Sequence, residues 1–308
     1  MRIVLDTTHR GPIGGGENYM VRLALALDQI GDLAVTHPFH PYFPEFNGFG
    51  KEFKLYSGLY KPDLYVACSY SSDFYPLGHR NLLVTFFPRK TAQHSGFDRV
   101  VAICPYSARY VFEYWGRNAD VLEPCIDPTL FRAGGEKEKL IVSIGHFFRE
   151  ADGHSKNQDI LIEAFDGLPG YKLALYGNAH SLDDRLYVQR CRDRIRGKNV
   201  EIHLNKPHTA LKEALARAEY LWHGNGYGRT DPAQTEHFGI IVLEALASGV
   251  VPIVHDSGGV RDIAPLAWRE PGELRELTLG RRPVIALSER HTIPFFNKQV
   301  EKIVAATL

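Results

Sequence analysis

The chain has no excess of either charge, with 36 Lys and Arg set against 36 Asp and Glu in 308 residues. Neutrality does not hide opposed halves, since residues 1–130 hold 12 basic and 13 acidic side chains. Without a positive field, a surface for a nucleic-acid backbone is excluded. Cysteine is scarce: Cys68, Cys104, Cys125 and Cys191 lie 36, 21 and 66 residues apart, which fits neither zinc nor redox spacing. They read as reduced thiols, mostly buried, of a cytoplasmic protein. No apolar run reaches the roughly 18 residues of a membrane span. The chain opens on a strand-like run, Arg2–Asp6, so no signal peptide is expected ahead of it. Asp-x-Asp, a Walker loop, Gly-x-Gly-x-x-Gly, Gly-x-Ser-x-Gly and His-Glu-x-x-His are all missing. His37 and His40 form a His-x-x-His with no carboxylate nearby, so no metal site is expected.

Short β-branched runs alternate with amphipathic stretches from end to end, the signature of parallel sheets covered on both faces. In the first half, strands are expected at 3–6, 33–36, 64–68, 81–86, 100–103 and 119–123, with a well-buried helix at 17–29. A Pro- and Gly-rich stretch from Pro124 to Lys139 suggests a boundary. The rhythm then restarts: strands at 140–144, 173–176, 200–204, 220–223 and 251–255, and helices at 157–165, 182–194, 209–218 and 238–248. The division predicted is an α/β domain at 1–132, a second at 133–288, and a helical tail at 289–308. Two doubly wound Rossmann-like units would face each other across a cleft, with ligands at the strand carboxyl ends.

The segment 220–263 is richest in chemistry. Trp222-His223-Gly224-Asn225-Gly226-Tyr227-Gly228 is followed by Glu236-His237-Phe238-Gly239-Ile240 and, two helical turns further on, Glu244. A glycine leading into an apolar helix lets backbone approach a ligand, and the unpaired first-turn amides attract phosphate. Glu244 could accept from the hydroxyls of a ribose. Gly258-Gly259 offers a second set of amides after a strand. For His223, packing at a strand end and a polar site role are both open.

The run Glu-x-Phe-Gly-x-x-x-x-Glu, carried by Glu236, Phe238, Gly239 and Glu244, resembles the two-glutamate motif of retaining glycosyltransferases of family 4, which have the GT-B fold. Ser143-Ile144-Gly145-His146, Ser155-Lys156-Asn157-Gln158 and Leu161–Phe165 resemble the opening of that family's C-terminal domain. The Trp-His-x-x-Gly segment at 222–226 is similar to a subset that includes mannosyltransferases extending lipid-linked oligosaccharides. In the first half, Asp98–Ile103, Ser107 and 115–131 look like strands approaching the linker. The resemblance implies a metal-independent transferase with no cofactor, moving a sugar from a nucleotide-diphosphate donor (GDP-mannose or a UDP-sugar) to a glycan or lipid-linked acceptor. It implies that Glu236 contacts the donor sugar, Lys156 neutralises the departing diphosphate, and Glu244 holds the ribose. Phe238, Gly239, Ile240 and Gly145 would meet sugar or phosphate, as would Gly258 and Gly259. Gly15 and Gly16, in Gly14-Gly15-Gly16-Glu17, resemble a loop that closes over the phosphates from the N-terminal side. The tail helix would cross back to the N-terminal domain.

Two positions depart from that pattern. His146 stands where an Arg is usual, so either Arg149 supplies the charge or His146, partly protonated near neutral pH, is a weaker phosphate partner. Phe86 stands where relatives often have a His. These departures favour, as alternatives, a catalytically weak nucleotide-sugar-binding subunit, while a GT-B epimerase or phosphorylase is the other enzyme reading. The N-terminal half is short for the fold, which leaves room for a partner subunit or a second copy. Clustering of Phe39, Tyr42, Phe43, Phe46 and Phe49 suggests peripheral contact with the cytoplasmic face of a membrane.

Overall fold

The computed structural model describes residues 1–8, 14–39, 51–69, 75–91, 94–131, 136–166 and 168–308. The chain divides into two compact units, Met1–Ile126 with Ser288–Leu308, and Asp127–Leu287. The boundary predicted at 132/133 lies outside the described residues, as do Tyr42, Phe43, Phe46 and Phe49. Of the aromatic cluster only Phe39 is described, and its ring meets Phe53 with centroids 5.7 Å apart.

In the first unit, β1 (Arg2–Asp6), α1 (Gly15–Asp28), β2 (Asp32–Val35), β3 (Lys54–Leu55), β4 (Leu64–Ser69), β5 (Arg80–Thr85), β6 (Arg99–Ala102), α2 (Pro105–Trp115) and β7 (Asp120–Val121) follow in order. The strands form one parallel sheet, β3-β2-β1-β4-β5-β6-β7. Ile3, Val4, Leu5, Val66, Ala67 and Val84 are fully buried, which is why these strands read as unbroken apolar runs. α1 buries Tyr19, Met20, Leu23 and Leu27, as its mixed apolar spacing predicted. α2 was not anticipated, although its signals were in the sequence. The Cys104 sulfur caps it by accepting from the Ser107 amide at 3.3 Å, Pro105 opens the first turn, and Gly116 ends it in the left-handed region.

The second unit runs β8 (Glu138–Ile144), α3 (Gln158–Ala164), β9 (Lys172–Gly177), α4 (Leu182–Arg194), β10 (Val200–Leu204), α5 (His208–Arg217), β11 (Ala218–His223), α6 (Ile240–Ala247), β12 (Val251–His255), β13 (Leu266–Trp268) and α7 (Glu273–Leu279). Its parallel sheet has the order β10-β9-β8-β11-β12-β13. Taken in sequence order within the unit, this is the doubly wound 3-2-1-4-5-6 arrangement, and the chain reverses direction of travel between β8 and β11. Trp222, Phe147, Tyr187 and Trp268 fill the core around these strands. β13 and α7 escaped prediction because Leu266-Ala267-Trp268 is too short to show a period.

The last helix, α8 (Ile293–Thr307), starts later than expected, after a 3₁₀ turn at Glu289–His291, with Pro294 in its first turn. It lies in the first unit, burying Phe296, Val300, Ile303 and Val304, and Phe296 meets Tyr19 edge-on at 5.7 Å. All four cysteines are free and buried. Among the described residues no helix is long and apolar enough to cross a membrane.

Candidate active site

The reversal between β8 and β11 is where a doubly wound sheet leaves room for a ligand, because flanking connections leave on opposite faces. Gly145 and His146 follow β8 there, and Gly224 to Gly228 follow β11. Asn157 fastens the β11 loop, its side-chain amide donating to the carbonyls of Gly224 at 2.8 Å and Tyr227 at 3.2 Å. Asn157 itself is left-handed (φ 56°), a conformation that Asn tolerates better than most residues. Gln158 fastens the β8 end by donating to the carbonyls of Gly145 and His146 at 3.3 and 3.2 Å.

One carboxylate oxygen organises the centre. Glu236 Oε2 lies 2.6 Å from Lys156 Nζ and 3.3 Å from His223 Nε2, and it accepts from Asn225 Nδ2 at 3.1 Å. The Lys156 and Glu236 side chains keep 27% and 19% of their exposure, so the pair is sheltered yet reachable by a ligand. Burial alone would raise the Glu236 carboxyl, but the Lys156 ammonium and the His223 contact outweigh it and hold it well below the ordinary range. The result is a fixed anion beside a fixed cation. The Lys156 stem passes over Gly145, where an added Cβ would meet Lys156 Cγ at 3.4 Å.

Two glycines let neighbouring turns close on this group. Gly239 has φ +82° immediately before α6, and an added Cβ there would stand 2.9 Å from Val260 Cγ2 and 3.3 Å from Glu236 Cγ. Gly258 has φ +71°, and a Cβ would lie 2.2 Å from the Glu236 carbonyl oxygen. Gly259 is buried and opens the 3₁₀ turn that follows, and the Val260 amide donates to the Glu236 carbonyl at 3.3 Å. The structure thus gathers Gly145, Lys156, His223, Gly239 and Gly258 about Glu236. Phe238 turns its ring into the core, while the Ile240 amide, first in α6, has no intrahelical acceptor.

Because Gly239 interrupts the helix, α6 begins at Ile240, and Glu244 stands little more than one turn in rather than two. It is buried, and no hydrogen bond from another described residue reaches its carboxyl. Burial pushes this carboxyl up to about 7, with Lys212 opposing.

His146 Nε2 is 3.3 Å from Asp184 Oδ2, and burial, helped by His180 and Lys156, draws its pKa below the ordinary value despite Asp184. The surroundings of His146 thus favour the neutral ring over the partly protonated one that the sequence suggested as a phosphate partner. Arg149 Nη1 bonds the buried Asp159 at 3.1 Å, and the Tyr187 hydroxyl donates to the same carboxylate at 2.8 Å. Gly15 and Gly16 are the first turn of α1 in the other unit, where Glu17 accepts from the Gly14 amide at 3.0 Å. They are helix and not loop, and residues 9–13 ahead of them lie outside the described set. Phe86 sits in the core of the first unit, 5.6 Å from the Tyr19 ring. Burial holds His237 down to about 4, so it is neutral, with Nε2 3.3 Å from the Pro232 carbonyl.

Sequence reading missed Asn225, Asp159 and Asp184. Asn225 lay in plain view within the glycine-rich run. The Ser181-x-x-Asp184 spacing is the one available signal for Asp184, which accepts from the Ser181 amide and whose own amide donates to Ser181 Oγ at the start of α4.

Residues 130–265 match the family described as glycosyl transferases group 1. The second unit carries that domain, and both units together have the two Rossmann-like domains of the GT-B fold. The chain is 30% identical over 183 residues to the human GDP-Man:Man(3)GlcNAc(2)-PP-Dol alpha-1,2-mannosyltransferase, matching 53% of this chain and 35% of that protein. The mouse protein of the same name is 29% identical over the same length. The chain thus spans about a third of the length of these curated relatives. Among solved structures, the Anabaena protein Alr3699/HepE with UDP and glucose superposes with a TM-score of 0.73, covering 99% of this chain and 100% of that one at 14% identity. The lipopolysaccharide outer core galactosyltransferase WaaB gives 0.66 at 12% identity, covering 100% of both chains.

Proposed function

We propose that the chain is a retaining, metal-independent glycosyltransferase of family 4 that transfers mannose from GDP-mannose to a hydroxyl of a glycan or lipid-linked acceptor. The observation that carries the reading is the Lys156–Glu236–His223–Asn225 group at the reversal of the second sheet. A donor diphosphate beside Lys156 would meet an ammonium already oriented, so charge on the leaving group is stabilised without reorganisation. Glu236, kept ionised, would accept hydrogen bonds from sugar hydroxyls and favour positive charge developing at the anomeric carbon. The acceptor hydroxyl would attack on the face the diphosphate leaves, and its proton would pass to a diphosphate oxygen. No protein nucleophile is required. The GDP-mannose donor and lipid-linked acceptor are suggested by the relatives named GDP-Man:Man(3)GlcNAc(2)-PP-Dol alpha-1,2-mannosyltransferase.

A second reading, a nucleotide-sugar-binding subunit of weak activity, is favoured by one observation. His146 and Arg149 both face carboxylates of their own unit, Asp184 and Asp159. Calorimetric titration with GDP, UDP, ADP and dTDP, followed by turnover of the preferred nucleotide's sugar, separates the two. Preference for GDP with sugar transfer supports the transferase; binding without transfer to a broad acceptor set supports the subunit; failure to bind any nucleotide overturns both.

A further inference from the structure

His146 holds one ring nitrogen against a carboxylate of its own unit. It leaves the end of β8 next to Gly145, at the same reversal that places Lys156 and Glu236. Its Nε2 faces Asp184 Oδ2 at 3.3 Å. That carboxylate is already committed, because the same oxygen accepts from the His180 amide at 2.8 Å and the Ser181 amide at 3.0 Å. Burial opposes the charge on Asp184, but these amides at the head of α4 hold it ionised. An ionised Asp184 fixes the imidazole tautomer: the Nε2 proton points at the carboxylate, and Nδ1 keeps a lone pair. Nδ1 has no hydrogen-bond partner among the described residues, and the side chain stays 30% exposed. A lone pair repels a phosphate oxygen, whereas a second N–H would donate to it.

The charged and titratable groups around the ring pull in two directions. Asp184 favours the imidazolium; His180, whose ring stacks on His146 with centroids 6.0 Å apart, and Lys156 disfavour it. Phe148 stacks at 6.0 Å and adds apolar cover. In the free protein burial, with His180 and Lys156, outweighs Asp184 and favours the neutral ring. A diphosphate seated beside Lys156 would cancel the lysine's opposition and place a second anion opposite Asp184, so that the ring would lie between two negative groups.

We propose that His146 is an anion-binding residue that takes up one proton as a nucleoside diphosphate binds, with Asp184 as the positioning residue that presents Nδ1 to it. This rests on the donor-site reading above and adds to it a proton linked to donor binding. Donor affinity is then set by pH through a residue of the site itself. A lower pH tightens binding, by at most about tenfold per pH unit where one proton is taken up.

The test is calorimetric titration of the whole chain with GDP and with UDP at pH 7.5 in buffers of differing ionisation enthalpy, which counts protons exchanged on binding. The wild type is expected to take up close to one proton more per nucleotide than His146→Asn. His146→Arg, with a fixed charge, is expected to bind more tightly at pH 8 and to show no such uptake. Asp184→Asn disturbs the cap of α4, so the two His146 variants carry the test. Binding with equal proton exchange in wild type and His146→Asn overturns the proposal and leaves the donor site standing. Absence of binding by either nucleotide in the wild type removes the donor site and the proposal with it.

Discussion

Replacing Glu244 by Gln is expected to stabilise the protein above neutral pH while abolishing nucleoside diphosphate binding. The carboxyl is buried on α6 with no described hydrogen-bond partner, and burial raises it from 4.5 to about 7. The sign follows from linkage. A carboxyl whose folded pKa is raised is harmless below pH 4.5, where both states bind the proton, and its penalty grows as pH rises through 7. With 1.36 kcal/mol per unit, a displacement of this size costs the native state about 3 kcal/mol at pH 8.5. Gln presents the same shape without a charge, so the variant and the wild type should unfold alike near pH 4.5. At pH 8.5 the variant should be more stable by about 3 kcal/mol, roughly 5–10 °C in the transition of the second unit. Thermal unfolding followed by tryptophan fluorescence suits the measurement, since Trp222 and Trp268 lie in that unit's core. A buried carboxylate that costs the native state stability is one that a ligand can satisfy, and in the proposed donor site that ligand is the ribose. A stability difference that does not change with pH, or nucleotide binding that survives in the variant, refutes the reasoning.

Gly258→Ala would force a Cβ to within 2.2 Å of the Glu236 carbonyl at φ +71°. It should destabilise by about 3 kcal/mol or more and weaken donor binding together with stability, read by calorimetry and thermal unfolding. Phe86→His buries a polar ring in the Tyr19 cluster. It is expected to cost about 2–4 kcal/mol of the first unit's stability without raising transfer rates, measured by denaturant unfolding alongside a turnover assay.

Much of this fold was legible because parallel strands buried on both faces leave continuous apolar runs. β10, β12 and α4 have the limits that their apolar stretches suggest. Elements without such a stretch were not legible, as with β3, two residues long, and β13, three, while the strand expected at 119–123 is present as β7 over Asp120–Val121 alone. α2 was legible in principle through Pro105, Gly116 and the one face that buries Ser107, Val111 and Trp115. Within the site, the glycines at 145, 239 and 258 and the charges at 156 and 236 could be picked out one by one. The convergence of Lys156, His223 and Asn225 on one oxygen, Glu236 Oε2, depends on pairing across up to 80 residues and is a property of the sheet, not of spacing. The same limit hid the partners of His146 and Arg149. Asp184 and Asp159 lie 38 and 10 residues further along, on helices whose facing no local pattern records.

The central claim is that Lys156 stabilises a departing diphosphate beside Glu236. It is tested most directly by sugar transfer from GDP-mannose to a lipid-linked oligosaccharide acceptor, with a chelator present, comparing wild type with Lys156→Met. Glu236 keeps His223 and Asn225 in the variant, so the fold should survive, and circular dichroism would verify that. The account predicts transfer by the wild type in chelator and a loss of at least about 100-fold in kcat in the variant, the range found when one preorganised charge-stabilising group is removed. Transfer by Lys156→Met at a rate close to wild type would contradict it.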